Sequence, residues 1–244
     1  MAVGGLLKKM HEDPTVEEIK SISDLLTKAI NEIDDDYGYA WKQSDTFAPS
    51  GSNQCARYAA YRLRGFEQKF SWPGRMKRLF DLGNLIEIQV EKIFTRMDIL
   101  VDKQIEIFVD NPPIRGYLDF VIEFGGKKYI VECKSANDMA YSWRQKLKKP
   151  KDDHMRQIQI YLEAMDMEEG FLLYYGKNDS DILLIHVKRD RDFIKKLFKK
   201  YDKIYKVYNA GNIPARPYKQ TSPSCAKCDA FDYCWADKEV GVSL

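Results

Sequence analysis

Histidine is scarce in this chain, with only His11, His154 and His186 among 244 residues. That argues against a histidine-rich metal site and leaves carboxylates to supply any oxygen-ligand chemistry. No apolar run approaches the roughly 20 residues of a membrane span, and the opening MAVGGLLKKMHEDP lacks the long apolar stretch of a secretory signal. A soluble, cytoplasmic protein with no membrane partner is the expectation. An excess of one charge is also missing: 39 Lys and Arg stand against 37 Asp and Glu, a net charge of +2. The whole-chain balance therefore argues neither for nor against nucleic acid. There is no internal repeat and no low-complexity segment. The five cysteines form an odd set, and a reducing compartment disfavours disulfides, so clustered thiols point to metal binding or thiol chemistry.

With 44% apolar residues the chain can bury a sizeable core. Thr15 and Glu18 predict a capping box that opens a helix, whose apolar face is Val16, Ile19, Ile22, Leu26, Ile30 and Ile33. Ser, Gly, Pro and Asn between Thr46 and Asn53 predict a loop, and a basic, aromatic helix follows over Gln54 to Phe70. Next come a helix over Asp81 to Met97 and three strands, Gln104 to Asp110, Ile114 to Phe124 and Tyr129 to Ser135, with Gly125-Gly126 as a tight hairpin. A helix over His154 to Met165, strands Phe171 to Tyr175 and Ile182 to Val187, and a lysine-rich helix over Asp190 to Asn209 complete the pattern. The order α-β-β-β-α-β predicts a mixed α/β sheet flanked by helices. Four segments are expected: a helical extension over 1–50, a helical segment over 51–80, a core over 81–215 and a cysteine-rich clasp over 216–244.

Two strands joined by one hairpin carry Gly116-Tyr117-Leu118-Asp119 and Ile130-Val131-Glu132-Cys133-Lys134. Strand alternation puts Glu132 and Lys134 on one face beside a buried apolar run, which is costly without a purpose. Asp119 can reach the same spot from the neighbouring strand. Two carboxylates meeting at a point hold hard divalent cations such as Mg²⁺ or Mn²⁺, and a nearby lysine can orient or deprotonate water. Such parts suit phosphodiester hydrolysis. Cys133 points the other way, so its thiol reads as a small core side chain, and Glu91 as an ordinary surface-helix residue.

This pattern resembles the PD-(D/E)xK nucleases, specifically their RecB-like branch, which implies a restriction-endonuclease-like core. In that branch a G-x-x-x-H or G-x-x-x-E element on a preceding helix supplies a further metal ligand, and here the element reads Gly83-Asn84-Leu85-Ile86-Glu87. Glu87 departs from the commoner histidine but remains a ligand, as an anionic oxygen donor. The branch's Q-x-x-x-Y signature is matched by Gln157 and Tyr161, on one helix face. The resemblance implies that Asp119, Glu132 and Glu87 bind one or two divalent ions with the backbone carbonyl of Cys133. It assigns Lys134 to positioning the attacking water, and Gln157 and Tyr161 to orienting bound water or phosphate.

Near the C-terminus Cys225, Cys228 and Cys234 form a C-x₂-C-x₅-C run. Three clustered thiolates want a fourth; reduced structural cysteines and a Cys₄ zinc site are the plain readings, and Cys55 is the remaining candidate. The layout resembles iron-sulfur nucleases of the AddB type and CRISPR-associated RecB-like exonucleases. There, one early and three late cysteines hold a cluster, which implies an iron-sulfur cluster here, [4Fe-4S] in the first instance, on Cys55, Cys225, Cys228 and Cys234.

The activity implied is cleavage of DNA, as an exonuclease on single strands or duplex ends, with a helicase, recombination or integrase-type protein as partner. A DNA-binding or assembly subunit without turnover is the alternative, and a zinc-clasped endonuclease a third reading. Tyr58, Tyr61, Arg62, Arg64, Trp72, Trp143 and Arg144 are candidates for stacking on bases and contacting phosphates, though core packing explains many of the aromatics equally well.

Overall fold

The structure, a computed structural model, describes residues 15–36, 44–66 and 74–244. Helix α1 spans Val16–Asp36. The Thr15 carbonyl accepts its first hydrogen bond, from the Ile19 amide, at 3.0 Å; the side chain of Glu18, the other half of the expected capping box, lies outside the described residues. A 3₁₀ turn at Pro49–Gly51 and α2, Ala56–Arg64, follow. Helix α2 is shorter than expected because Gly65 adopts φ 72° and ends it; residues 67–70 of the expected helix lie outside the described residues. Helix α3 runs over Gly74–Arg96. Two compact units make up the chain, residues 1–40 with 71–81, and residues 41–70 with 82–244. The first contains α1, and the second contains the sheet.

That sheet is mixed and five-stranded, with β1 (Leu100–Val109), β2 (Ile114–Phe124), β3 (Lys127–Ala136), β4 (Glu169–Gly176) and β5 (Ile182–Lys188) in sequential order. All neighbours are antiparallel except β3 and β4. The β2–β3 turn uses Gly125 at φ 61° and Gly126 at φ 74°, a pair of positive values that glycine adopts without steric cost and that matches the strand twist. Parallel pairing of β3 with β4 demands a crossover. Two helices supply it, α4 (Asp138–Leu147) and α5 (Asp152–Ala164). The first of these was not expected from the sequence, since only Tyr141 of it is buried; it starts where the Asn137 side chain accepts the Ala140 amide at 2.9 Å. Helix α6 covers Arg191–Asn209 and closes before Gly211 at φ 75°. Two short helices, α7 (Pro223–Ala226) and α8 (Phe231–Ala236), end the described fold.

Each face of the sheet has its own core. On one side Leu118, Val121, Ile130 and Leu172 pack with Leu63 of α2, Ile158 and Leu162 of α5 and Ile204 of α6. On the other, Ile86, Val90 and Phe94 of α3, spaced one helical turn apart, pack against Phe120, Ile122, Val131, Cys133 and Leu173. Strand β5 shows the resulting alternation, with Leu183, Ile185 and Val187 turned inward.

Candidate active site

Strands β2 and β3 pair from Phe124 opposite Lys127 up to Phe120 opposite Val131, and there the registered ladder stops. Beyond that rung the Cys133 amide donates to the side chain of Asp119, reaching Oδ2 at 2.7 Å. The inward face of β2 changes at the same place: Leu118 and Val121 enter one core, whereas Phe120 and Ile122 enter the other. Local irregularity thus turns Asp119 toward β3 in a gap between the strands.

Glu132, on β3, is 2% exposed. Its Oε1 accepts from Lys134 Nζ at 2.6 Å and from Gln157 Nε2 at 2.7 Å, as the shared face of Glu132 and Lys134 predicts. Oε2 is buried and has no hydrogen-bond partner. Gln157 spends its second amide hydrogen on the Tyr161 hydroxyl at 3.1 Å, and that hydroxyl donates to the Tyr117 carbonyl at 2.8 Å. The i, i+4 pair on α5 therefore spans both strands where they part. Cys133 faces away into the apolar core with α3, where burial, before any other cause, pushes its thiol far above the ordinary range.

Glu87 approaches from α3, and Gln104 Nε2 donates to its Oε2 at 3.0 Å. Burial lifts Glu87 to about 7 and the nearby Asp119 charge adds to the rise. Burial likewise raises Glu132 to about 8, with Lys134 opposing and Asp119 reinforcing, and burial raises Asp119 as well. Burial lowers Lys134, but the Glu132 and Asp119 carboxylates outweigh it and raise it above its ordinary value, so the ammonium stays charged. Lys134 can therefore donate to and orient a water; a charged ammonium is no base. Three mutually repelling carboxylates around one cation, one of them with an orphaned buried oxygen, are a donor set chemically suited to a hard divalent ion. Among the described residues no three His, Cys, Asp or Glu side chains already stand as a ready-made metal-holding group.

Two residues near this centre carry little sequence signal. Gln104 sits in a strand with φ 48°, which no apolar pattern announces. His154 lies on the same helical face as Gln157 and Tyr161, with Nδ1 at 2.9 Å from the Tyr174 hydroxyl. Burial, then Lys134, pushes it down to about 4 and keeps it neutral; its three-residue spacing from Gln157 was the available signal. Glu91 pairs with Lys103 at 2.6 Å on the surface, the ordinary role expected of it. Of the aromatic candidates, Tyr58 and Tyr61 are core residues at 6% and 1% exposure and are not available for stacking on bases. Trp143 is exposed, and Trp72 lies outside the described residues.

Away from the carboxylates, Cys55, Cys225, Cys228 and Cys234 all line one cavity of about 330 Å³. No disulfide joins them. Cys55 caps α2, its sulfur accepting the Tyr58 amide at 3.3 Å, and the others lie on and between α7 and α8. Burial raises Cys55, and burial takes Cys228 up to about 11. Arg57, 1% exposed, fastens the C-terminal segment to α2: its guanidinium donates to the Pro214 and Glu239 carbonyls at 3.1 and 2.8 Å and to Asp237 Oδ2 at 2.8 Å.

Among solved structures, an alkaline exonuclease from Laribacter hongkongensis is similar at 15% identity and a TM-score of 0.53, over 69% of this chain and 90% of that one. The same enzyme in complex with dAMP gives 14% identity and a TM-score of 0.54, over 68% and 89%. At such identities the likeness is one of fold. No curated protein matches the chain. A family model, described as the PD-(D/E)XK nuclease superfamily, matches residues 6–235, a span that contains Asp119 and the Glu132-Cys133-Lys134 triplet set on their parted strands. The chain belongs to the PD-(D/E)XK nuclease superfamily.

Proposed function

We propose that this chain is a metal-dependent deoxyribonuclease of the RecB-like branch that hydrolyses DNA from single-stranded or duplex ends. The observation that carries the reading is Glu132, a buried carboxylate with one oxygen bound to Lys134 and Gln157 and the other without a partner. Burying an unpaired carboxylate oxygen is expensive, and a cation offsets that cost. Asp119, Glu132 and Glu87, with the backbone carbonyl of Cys133, would hold one or two Mg²⁺ or Mn²⁺ ions. Such an ion, when bound, supplies an acidified water and neutralises charge developing on the phosphate. Lys134 keeps its proton and donates toward the attacking water, while Gln157 fixes the Glu132 carboxylate and Tyr161 anchors Gln157 to the strand backbone. The exonuclease assignment is supported by the resemblance to an end-processing branch.

Cys55, Cys225, Cys228 and Cys234 are assigned to an iron-sulfur cluster, [4Fe-4S] in the first instance. Four unpaired thiols around one cavity, brought from distant parts of the chain, support it. Its role is to hold the ends of this unit together. Free thiols also fit a reducing, cytoplasmic setting. A motor or integrase-type partner is supported by the resemblance, and among the described residues no helix is long and apolar enough to cross a membrane.

The test is anaerobic purification, metal and sulfide analysis, and digestion of end-labelled single- and double-stranded DNA with Mg²⁺ or Mn²⁺ beside a Lys134→Ala control. Metal- and Lys134-dependent shortening from an end is expected. No cleavage of any substrate would replace the enzyme with a DNA-binding assembly subunit, and zinc without sulfide would replace the cluster.

A further inference from the structure

Gln104 lies between Lys103 and Ile105, whose partners across the ladder are Phe120 and Leu118, so it stands opposite Asp119. Its backbone is held at φ 48°, a left-handed conformation that burdens a long side chain and that glycine takes freely. From that position Nε2 donates to Glu87 Oε2 at 3.0 Å, and this is the hydrogen bond that holds the Glu87 carboxylate among the described residues. Asp119 stands directly across the ladder from the strand position that carries this amide. A strand that keeps glutamine where glycine would sit more easily is retaining the side chain at a conformational cost, as strained positions at functional sites do.

The contact joins two elements beside a third. Glu87 comes from α3, Gln104 from β1 and Asp119 from β2, and a carboxylate on a helix flank samples several rotamers unless something pins it. We propose that Gln104 is a positioning residue, a brace that holds Glu87 beside Asp119 so that the two carboxylates present one ligand face to a divalent cation. This rests on the carboxylate site proposed above. Gln104 acts through Glu87 and needs no contact with substrate.

The test is Mn²⁺ binding to the full chain in the absence of DNA, read from the resonance of the free ion, with melting measured alongside. Gln104→Gly removes the amide and relieves the backbone at once. It is expected to melt no lower than the unaltered chain without metal, yet to bind Mn²⁺ about 10- to 100-fold more weakly, the usual loss when a ligand's supporting partner goes. The Glu87→Ala variant should bind weakly too, and adding Gln104→Gly to it should cost nothing further, since a brace without its partner has nothing to hold. Undiminished Mn²⁺ affinity in Gln104→Gly, or losses that add in the double variant, would overturn the brace alone. No Mn²⁺ binding by the unaltered chain would overturn the carboxylate site and the brace with it.

Discussion

Asp119 Oδ2 receives the Cys133 amide at 2.7 Å, one step past the last registered rung of the β2–β3 ladder. A side chain there does what a strand carbonyl would otherwise do. Parting two buried strands orphans backbone groups, each worth about 1–3 kcal/mol if left unsatisfied. The same carboxylate that closes this account also faces Glu132 and Glu87.

Structure and chemistry at Asp119 should therefore separate by substitution. Asp119→Asn keeps an acceptor oxygen for the Cys133 amide and should fold with near-parental stability while losing Mg²⁺-dependent cleavage. Asp119→Ala should lose cleavage and also about 1–3 kcal/mol of stability, measured by denaturant titration. Equal stability of the two variants would show that the amide contact contributes little.

Lys134 and Glu132 should behave as a coupled pair. At alkaline pH, above the about 8 to which burial raises Glu132, Lys134→Met leaves a buried carboxylate without its cation, which costs up to about 3–5 kcal/mol in comparable sites. Adding Glu132→Gln removes that charge and should recover most of the loss. Neither the single nor the double variant should cleave DNA faster than about one-hundredth of the parental rate. A double variant as unstable as Lys134→Met would disprove the coupling.

Stability should also respond to pH in an unusual direction. Burial holds Glu132 at about 8 and Glu87 at about 7, above the roughly 4.3 of a free glutamate. Between those limits the folded chain keeps protons that the unfolded chain has released, so stability falls as pH rises through the window. With a chelator present, the melting temperature should drop from about pH 5 to about pH 9, and Mg²⁺ should restore more at the upper end, where the carboxylates are ionised. A flat profile with chelator would contradict the buried, repelling carboxylates.

Gly116 links the 3₁₀ turn to the site. A Cβ there would sit 2.8 Å from Pro49 Cδ, 2.9 Å from Pro49 Cγ and 3.5 Å from the Tyr161 hydroxyl. Gly116→Ala should cost about 1–3 kcal/mol through overpacking. Relieving the clash by shifting β2 away from Pro49 would carry the Tyr117 carbonyl from the Tyr161 hydroxyl and slow cleavage. Parental melting and rate together would show that Pro49 yields freely.

Much of this could be read from the residues themselves. Strand β2 falls between a Pro-Pro pair and a Gly-Gly pair, so its expected limits coincide with the observed Ile114–Phe124. Alternation put Glu132 and Lys134 together, and helical spacing put Gln157 and Tyr161 together, because both periods are fixed by backbone geometry. The break in β2 was not legible: Leu-Asp-Phe-Val-Ile looks like an unbroken buried strand, and only the packing of Leu118 and Phe120 into opposite cores reveals it. Helix α4 was hidden because only Tyr141 of its ten residues is buried, so its apolar side chains mark no core face. Strand β1 begins four residues before the expected Gln104, at Leu100, because its first residues are half polar and edge-like.

The Arg57 clamp has a bearing on how the molecule is made. Its partners at Pro214 and Val240 lie 157 and 183 residues further along the chain. During synthesis those carbonyls emerge long after α2, where Arg57 at first has Tyr61, four residues on, whose hydroxyl accepts from it at 2.7 Å. Closing so long a loop is slow and entropically costly. Segments far apart in sequence therefore complete one another, and α2 reaches its final packing only once residues 214–240 have been made.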